Sequence, residues 1–374
     1  MVVRFSKLLM GGICALILIF LLFFSSDVSC AVRDGLSICL NILVPSLFVF
    51  LILSDLFIKT GLLSQLLKPF GWICGKLFHI SSSLGPLLLM SLLCGYPVGA
   101  RLIAALTEEK VMSKETGSRL LCFCVNAGPA FLIGSVAIPI FGSLQLGIVL
   151  FCSNVAAFFA VGIISGIGKK AEPLSLSNQT PNFSDALVCS VKSSTTAMVN
   201  ICSFVLLFSG ILGLLQQIGF FQLLETVAAP FLPSETASAF VTGMLEVSNG
   251  VVLCKQAPGA LSFFLTVLIT SFGGFCVHLQ IRAILSKTGI SMKLFYRYRI
   301  LYLIVSFITS LLLFQFQEDA VSVFSANTTV TAVAGHGSPA ASILLLVFSA
   351  FLLCCDKKSV TIGKKHFLRK GSPS

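Results

Sequence analysis

Apolar residues run along this chain in continuous blocks rather than in a two-residue alternation, and the blocks have the length of a bilayer crossing. Runs at 8–24, 36–58, 144–167, 197–215, 294–316 and 341–355 approach the ~20 residues a transmembrane helix needs. Pro45 interrupts the second of them, a gap that neighbouring helices can fill. Four further runs, 84–106, 120–141, 237–252 and 261–285, are as apolar but carry a break. The breaks are Cys94-Gly95-Tyr96-Pro97-Val98-Gly99-Ala100-Arg101, Asn126-Ala127-Gly128-Pro129, the stretch around Gly243-Met244-Leu245-Glu246-Val247-Ser248-Asn249-Gly250, and Ser271-Phe272-Gly273-Gly274. Proline lacks the amide that a helix interior needs, so Gly-Tyr-Pro-Val-Gly cannot continue a helix without interruption. Short segments at 59–76, with Trp72, and at 219–230 read as helices lying in the membrane interface.

The succession occurs twice. Residues 41–69 parallel 200–230, and each stretch is followed by a Gly-broken segment, a second broken helix and an unbroken crossing. If the segments around Gly95 and Gly243 are re-entrant hairpins, each half has three crossings and the halves are inverted. Positive charge favours cytoplasmic loops. In this topology all of the 25 lysines and arginines except Arg33, Lys255 and Arg101 fall on the inner side, including Arg119, Lys192, Arg297 and Arg299. The expected fold is therefore all-α: a polytopic membrane protein of two inverted repeats with re-entrant hairpins and broken helices, eight crossings, and both termini cytoplasmic. The domains are an N-terminal transmembrane helix (1–30), a first repeat (31–170), a polar cytoplasmic linker (171–186), a second repeat (187–316), and an external loop, last helix and basic tail (317–374).

Composition sharpens this. The 374 residues are 56% hydrophobic and 10% charged, against about 25% charged in soluble domains, which excludes a soluble enzyme and a disordered chain. The net charge of +11 then reads as inside-positive loops rather than as a nucleic-acid surface. The 14 cysteines sit mostly in apolar runs, where free Cys behaves as a small hydrophobe. Neither the pair Cys122 and Cys124 nor the adjacent Cys354 and Cys355 has histidines at metal spacing. No GxxxxGK[ST], HExxH or GxSxG occurs. Neither an enzyme, a metal nor a cofactor is expected.

Inverted repeats with discontinuous helices are a transporter layout, with the substrate site at the breaks. Arg101, just past the first hairpin tip, reads either as an anion clamp or as an arginine that snorkels or pairs with Glu108. Glu246 reads as a proton or cation coupling site, as an acceptor for a ligand hydroxyl, or as the partner of an internal ion pair with Arg101. Asn126, Ser248, Asn249 and Ser271 offer hydrogen bonds at the breaks, or hold helices together. His278 and Gln280 follow Gly273-Gly274; the histidine reads as a titrating gate or as a packed core residue. The expected substrate-binding set is Gly95, Tyr96, Pro97, Gly99, Arg101, Asn126, Gly128, Glu246, Ser248, Asn249, Ser271, Gly273, Gly274 and Gln280.

Several of these motifs are familiar together. Gly95-Tyr96-Pro97-Val98-Gly99-Ala100, Lys114-Glu115 with Arg119-Leu120-Leu121, Asn126-Ala127-Gly128-Pro129, Gly243-Met244-Leu245-Glu246 with Gly250, and Gly273-Gly274 to His278-Leu279-Gln280 resemble the YlbJ/SpoVV family of sporulation integral membrane proteins, within the wider nucleoside-recognition "gate" group. The resemblance covers about residues 30–316; Cys94 stands where the family more often has serine. It implies a fold like the concentrative nucleoside transporters. It also implies secondary transport of a small organic anion, dipicolinic acid, into the developing forespore across its mother-cell-derived outer membrane. The partners are then that anion, the lipid bilayer and a coupling ion, with no nucleic acid. Dipicolinate is a planar dicarboxylate, which Arg101 and half-helix N-termini would suit. The alternatives are a nucleoside-type permease, for which Tyr96 is the one obvious stacking ring, and a non-transporting membrane subunit of a spore-maturation complex.

Overall fold

Every regular element among the described residues is a helix, and no strand occurs among them. The computed structural model describes residues 18–62, 67–172, 182–233 and 235–316, with positions 11, 12, 15 and 174 in addition. All of these fall in one compact unit, Met1–Ala326. The expected last crossing at 341–355 and the basic tail lie outside the described residues, as do most of run 8–24 and most of the linker.

In chain order the helices are α1 (Ser25–Thr60), α2 (Lys68–Phe78), α3 (Gly85–Cys94), α4 (Tyr96–Glu108), α5 (Lys114–Leu121), α6 (Ala130–Phe141), α7 (Leu144–Gly166), α8 (Phe183–Gln217), α9 (Phe220–Ala228), α10 (Thr236–Leu245), α11 (Val247–Cys254), α12 (Ala260–Phe272), α13 (Gly274–Ile284) and α14 (Lys293–Phe314). Five helical stretches are long and apolar enough to cross a membrane: α1, α7, α8, the segment Ala260–Lys287 and α14. They coincide with five of the expected crossings. The expected crossing at 120–141 is instead α5, an unwound stretch at 122–128, and the short apolar α6.

The start of α1 corrects the sequence reading, which put a loop with Arg33 outside between crossings 8–24 and 36–58. Backbone from 25 to 60 is helical without a gap. Val28, Ala31, Val32, Gly35 and Cys39 recur at helical spacing and turn inward, while Asp27, Arg33 and Asp34 are exposed. The polarity there marks one face of an amphipathic helix, not a loop. That face packs along α8, where a side chain at Gly35 would collide with Ser209. A π-helical turn, Cys39–Leu43, precedes Pro45, and a second, Ala130–Ala137, precedes Pro139. The shifted register accommodates prolines that cannot donate.

The two expected hairpins fold back on themselves. In an unbroken helix residues eight apart lie about 12 Å apart, yet a methyl at Gly99 would stand 3.0 Å from Cβ of Ser91. Across the second break, a methyl at Gly250 would land on the Cα of Gly243. The arms of 10, 13, 10 and 8 residues measure roughly 12–20 Å. All are short of the ~30 Å hydrocarbon core, so no arm spans it alone. The last helices of the two halves, α7 and α14, pack along each other. Tyr302 joins them by donating to the backbone and side-chain oxygens of Asn154 at 3.0 and 3.1 Å.

Candidate functional site

Each hairpin tip turns at a residue outside helical space. Gly95 has φ +90°, a region open to glycine. Glu246 is extended (φ −141°, ψ 120°) and caps α11. One carboxylate oxygen of Glu246 accepts from the amide of Ser248 at 3.0 Å. The other accepts from the amide and the side-chain nitrogen of Asn249 at 2.7 and 2.8 Å. A carboxylate is well placed there, because helix N-termini leave amides unpaired and carry partial positive charge.

The second break of each half packs against the hairpin tip of the same half. A methyl at Gly128 would come within 2.6 Å of the Leu93 carbonyl and 2.9 Å of the Gly95 amide nitrogen. A methyl at Gly274 would lie 3.2 Å from the Gly243 carbonyl and 3.3 Å from that of Leu245. The halves are then tied together. The Tyr96 hydroxyl donates to the Thr270 carbonyl. Arg299, only 2% exposed, donates from Nε to the Phe272 carbonyl (2.8 Å) and from Nη1 to the Val125 carbonyl (2.7 Å). The Phe272 carbonyl ends α12, where helix termini leave acceptors that favour a cation, and the Val125 carbonyl lies within the unwound stretch, outside any helix ladder. The guanidinium also lies over the rings of Tyr302 and Phe295, at 5.0 and 5.4 Å. Its Nη2 has no partner among the described residues.

At this junction is a cavity of about 40 Å³ lined by Tyr96, Pro97, Glu246, Val247, Ser248 and Gln280, with a wall of Leu43, Leu47, Phe131, Ile201, Val205 and Val277. It has room for a few waters and not for a ring-sized solute. Two larger cavities flank it. One, of about 430 Å³, shares Pro97, Ile201 and Gln280 with it and adds Arg101, Glu108, Ser193, Thr196 and Asn200. The other, of about 500 Å³, holds Gln216, Glu225, Glu235, Asn249 and Gln256. Helix α8 orders them: Ser193–Phe204 line the first, Ile201 and Val205 the small one, and Leu212–Gln216 the last. From Ser193 to Gln216 a helix rises about 35 Å, the depth of a bilayer core.

Of the expected binding residues, Tyr96, Pro97, Glu246, Ser248 and Gln280 meet at the small cavity. Arg101 and Asn249 stand in the flanking cavities on either side. Gly95, Gly99, Asn126, Gly128, Gly273 and Gly274 are backbone packing at the breaks, with Asn126 donating to the Phe123 carbonyl (3.0 Å). Ser271 holds α12 to α14 through Ser306 (2.7 Å). His278 is packed among Phe272, Phe275, Phe295 and Tyr296, with Nε2 against the Phe272 carbonyl (3.0 Å).

Two readings need correction. Arg101 and Glu246 do not pair: Arg101 donates to Ser193 at 2.6 Å, while the carboxylate is taken up by α11. Arg299 and Arg119, assigned to inner loops, are buried. Arg119 donates to the Phe78 and His79 carbonyls (3.1 and 2.7 Å), closing the end of α2 as Arg299 closes α12. The signal for Arg299 was present. Phe295, Arg299, Tyr302, Ser306 and Ser310 recur at helical spacing and all are buried.

These features define a multi-pass helical membrane protein in which two hairpin tips meet at one small cavity. The chain is 29% identical over 303 residues, 72% of its length and 74% of the relative's, to the sporulation integral membrane protein YlbJ of Bacillus subtilis (strain 168). That similarity supports assignment to the YlbJ family. No family model and no solved structure matches the chain.

Proposed function

We propose that this protein is a secondary transporter of a small organic anion in a sporulation membrane, with dipicolinate as its substrate. The observation that carries the reading is the meeting of two hairpin tips at one cavity, each tip packed against a further helix break, between larger cavities ranked along α8. Unwound backbone at membrane depth is tolerated where it is buried or lines a cavity, and half-helix ends aimed at a midplane site are how carriers hold charged solutes. On this reading the two halves are inverted repeats arranged as in the concentrative nucleoside transporters, the hairpins are re-entrant, and both termini are cytoplasmic. The small central cavity is the substrate site, and it must widen to admit a ring. Arg101 draws the anion into the first flanking cavity, and the N-termini of α4 and α11 face it at the centre. The chain moves its substrate without chemistry.

The test is uptake of radiolabelled dipicolinate into proteoliposomes, with uridine as comparison. Saturable dipicolinate uptake, competed by unlabelled dipicolinate and not by uridine, is expected. Uridine uptake instead would establish a nucleoside permease. No uptake of either by folded, inserted protein would remove the carrier reading in favour of a non-transporting subunit.

A further inference from the structure

A fourth cavity, about 540 Å³, lies apart from the central path where α13 ends and α14 begins, and Arg282, Ser286, Lys293 and Tyr296 line it. No carboxylate is among the lining residues. Neither basic side chain has a hydrogen-bond or ion-pair partner among the described residues. From residue 281 to 299 the sequence carries Arg282, Lys287, Lys293, Arg297 and Arg299 with no acid at all. Leu285, Gly289, Ile290 and Met292 complete the lining, and a cleft with two unpaired cations and no acid suits an anion.

What continues from the cleft identifies the anion. On α13 and the turn that follows it the outward positions are Phe275, Leu279, Arg282 and Ser286, spaced for one helix face; Leu279 and Phe275 are 42% and 50% exposed. On α14 they are Lys293, Tyr296, Ile300, Ile304 and Ile308, the isoleucines 49–66% exposed. His278 bridges the helices, its ring 6.0 Å from Phe275 and 5.6 Å from Tyr296. Both faces therefore pass in the same direction, from cations and hydroxyls at the loop end to bare hydrocarbon. That order matches the long axis of a phospholipid. A free anion would use the basic end and leave the stripes without a purpose, whereas a lipid uses both. Basic pockets between transmembrane helices at the headgroup level have this chemistry, and a tyrosine at the boundary suits it.

We propose that this cleft binds an anionic phospholipid, with Arg282 and Lys293 on the phosphate, Tyr296 at the headgroup boundary, and the acyl chains along Leu279 and Ile300. The experiment uses the full chain in neutral detergent, with its thermal unfolding midpoint followed as phosphatidylglycerol, phosphatidylcholine or inorganic phosphate is titrated in. Phosphatidylglycerol is expected to raise the midpoint saturably, and phosphatidylcholine and phosphate to do so little. In the double variant Arg282→Gln/Lys293→Gln the half-saturating lipid concentration should rise about twenty-five-fold, at roughly fivefold per basic group. Ser286→Ala/Tyr296→Phe, which keeps both charges, should shift it severalfold less. Equal stabilisation by phosphatidylcholine, an unchanged response in the double variant, or full stabilisation by phosphate alone would each overturn the assignment. Lipid-free midpoints of the variants matching wild type would show that these exposed substitutions leave the fold intact.

Discussion

Replacing Arg299 with methionine tests the junction most directly. Methionine keeps the length and apolar stem of the side chain but removes the guanidinium that holds the Phe272 and Val125 carbonyls. The Phe272 carbonyl retains His278; for the Val125 carbonyl no second partner is found among the described residues. A hydrogen bond from a charged donor contributes about 1.5–3 kcal/mol, and an orphaned buried acceptor costs about 1–3 kcal/mol. Two such bonds are lost and one acceptor is orphaned. Against this stands relief from burying a cation, since exchanging buried charge for hydrophobe often recovers stability. The lost bonds and the orphaned acceptor sum to roughly 4–9 kcal/mol, the relief offsets about 1–4 kcal/mol of that, and the net loss comes to about 3 kcal/mol. At roughly 1–2 °C per kcal/mol for a chain of 374 residues, the midpoint should fall by roughly 3–6 °C. A thiol-reactive dye reads this unfolding well, because Cys74, Cys94, Cys122, Cys124, Cys254 and Cys276 are free and buried in the native protein. Arg299→Lys keeps one donor group and should lose about half as much. An Arg299→Met protein melting within 2 °C of wild type, a bound taken from that same conversion, would refute the reading of Arg299 as the brace between the two breaks.

Arg101→Ala should leave the midpoint nearly unchanged, because its one hydrogen bond is to Ser193 in an open cavity, while raising the KM for dipicolinate uptake about tenfold, the worth of one charge-assisted contact. Gly128→Ala places a methyl against fixed backbone at Leu93 and Gly95; a loss of roughly 1–3 kcal/mol is expected, with uptake abolished, whereas Gly134→Ala, which meets nothing within 4 Å, should behave as wild type. Glu172 accepts from the hydroxyls of Ser113 and Thr116, both at 2.7 Å, at the start of α5; partial burial opposes its charge, but these donors and the Ser113 amide outweigh it and hold the carboxyl below its usual value. Its contribution is therefore full above the ordinary carboxyl value of about 4.3 and lost as pH falls through the lowered native one. The protection factor of the Thr116 amide against hydrogen exchange should fall across that window in wild type, and in Glu172→Gln it should be low throughout.

The sequence was most legible where backbone chemistry dictates structure. Glycine and proline at 95–99, 126–129 and 273–274 interrupt the helices where they appear to the eye, because no tertiary contact can restore a missing amide or make φ +90° comfortable for a side chain. Charge was less legible. Arg282 and Arg297, counted as loop residues, are exposed but lie on α13 and α14, and Arg119 and Arg299 are buried because each finds backbone carbonyls supplied by distant segments. Likewise an acid–base pair between Arg101 and Glu246 is reasonable on charge alone and fails on geometry, since α11 offers the carboxylate three nitrogens within 3.0 Å. The apolar wall of the cavity could not be singled out at all. Leu43, Leu47, Phe131, Ile201, Val205 and Val277 look like every other membrane-facing residue until the helices are assembled.

Glu246 also constrains how an anion could be carried. Two helix N-termini reach the central cavity, and they are not equivalent. That of α4 has no side-chain cap, whereas that of α11 already holds the Glu246 carboxylate on the amides of Ser248 and Asn249. Glu246 thus occupies the place an incoming carboxylate would take on that helix. The nearest arginines do not neutralise it: Arg299 is spent on carbonyls, and Arg101 stands in the next cavity. A dicarboxylate entering beside it would bring like charges together in a largely apolar cavity, where repulsion is stronger than in bulk water. On the carrier reading, then, the substrate cannot load onto both helix ends unless Glu246 releases α11, and it releases most readily when a proton or another cation neutralises it. Asn249, bonded to Glu246 and lining the acidic flanking cavity with Glu225 and Glu235, gives such a cation a route from one side. Anion and cation would then have to move together, because neither state of the junction accommodates one without the other.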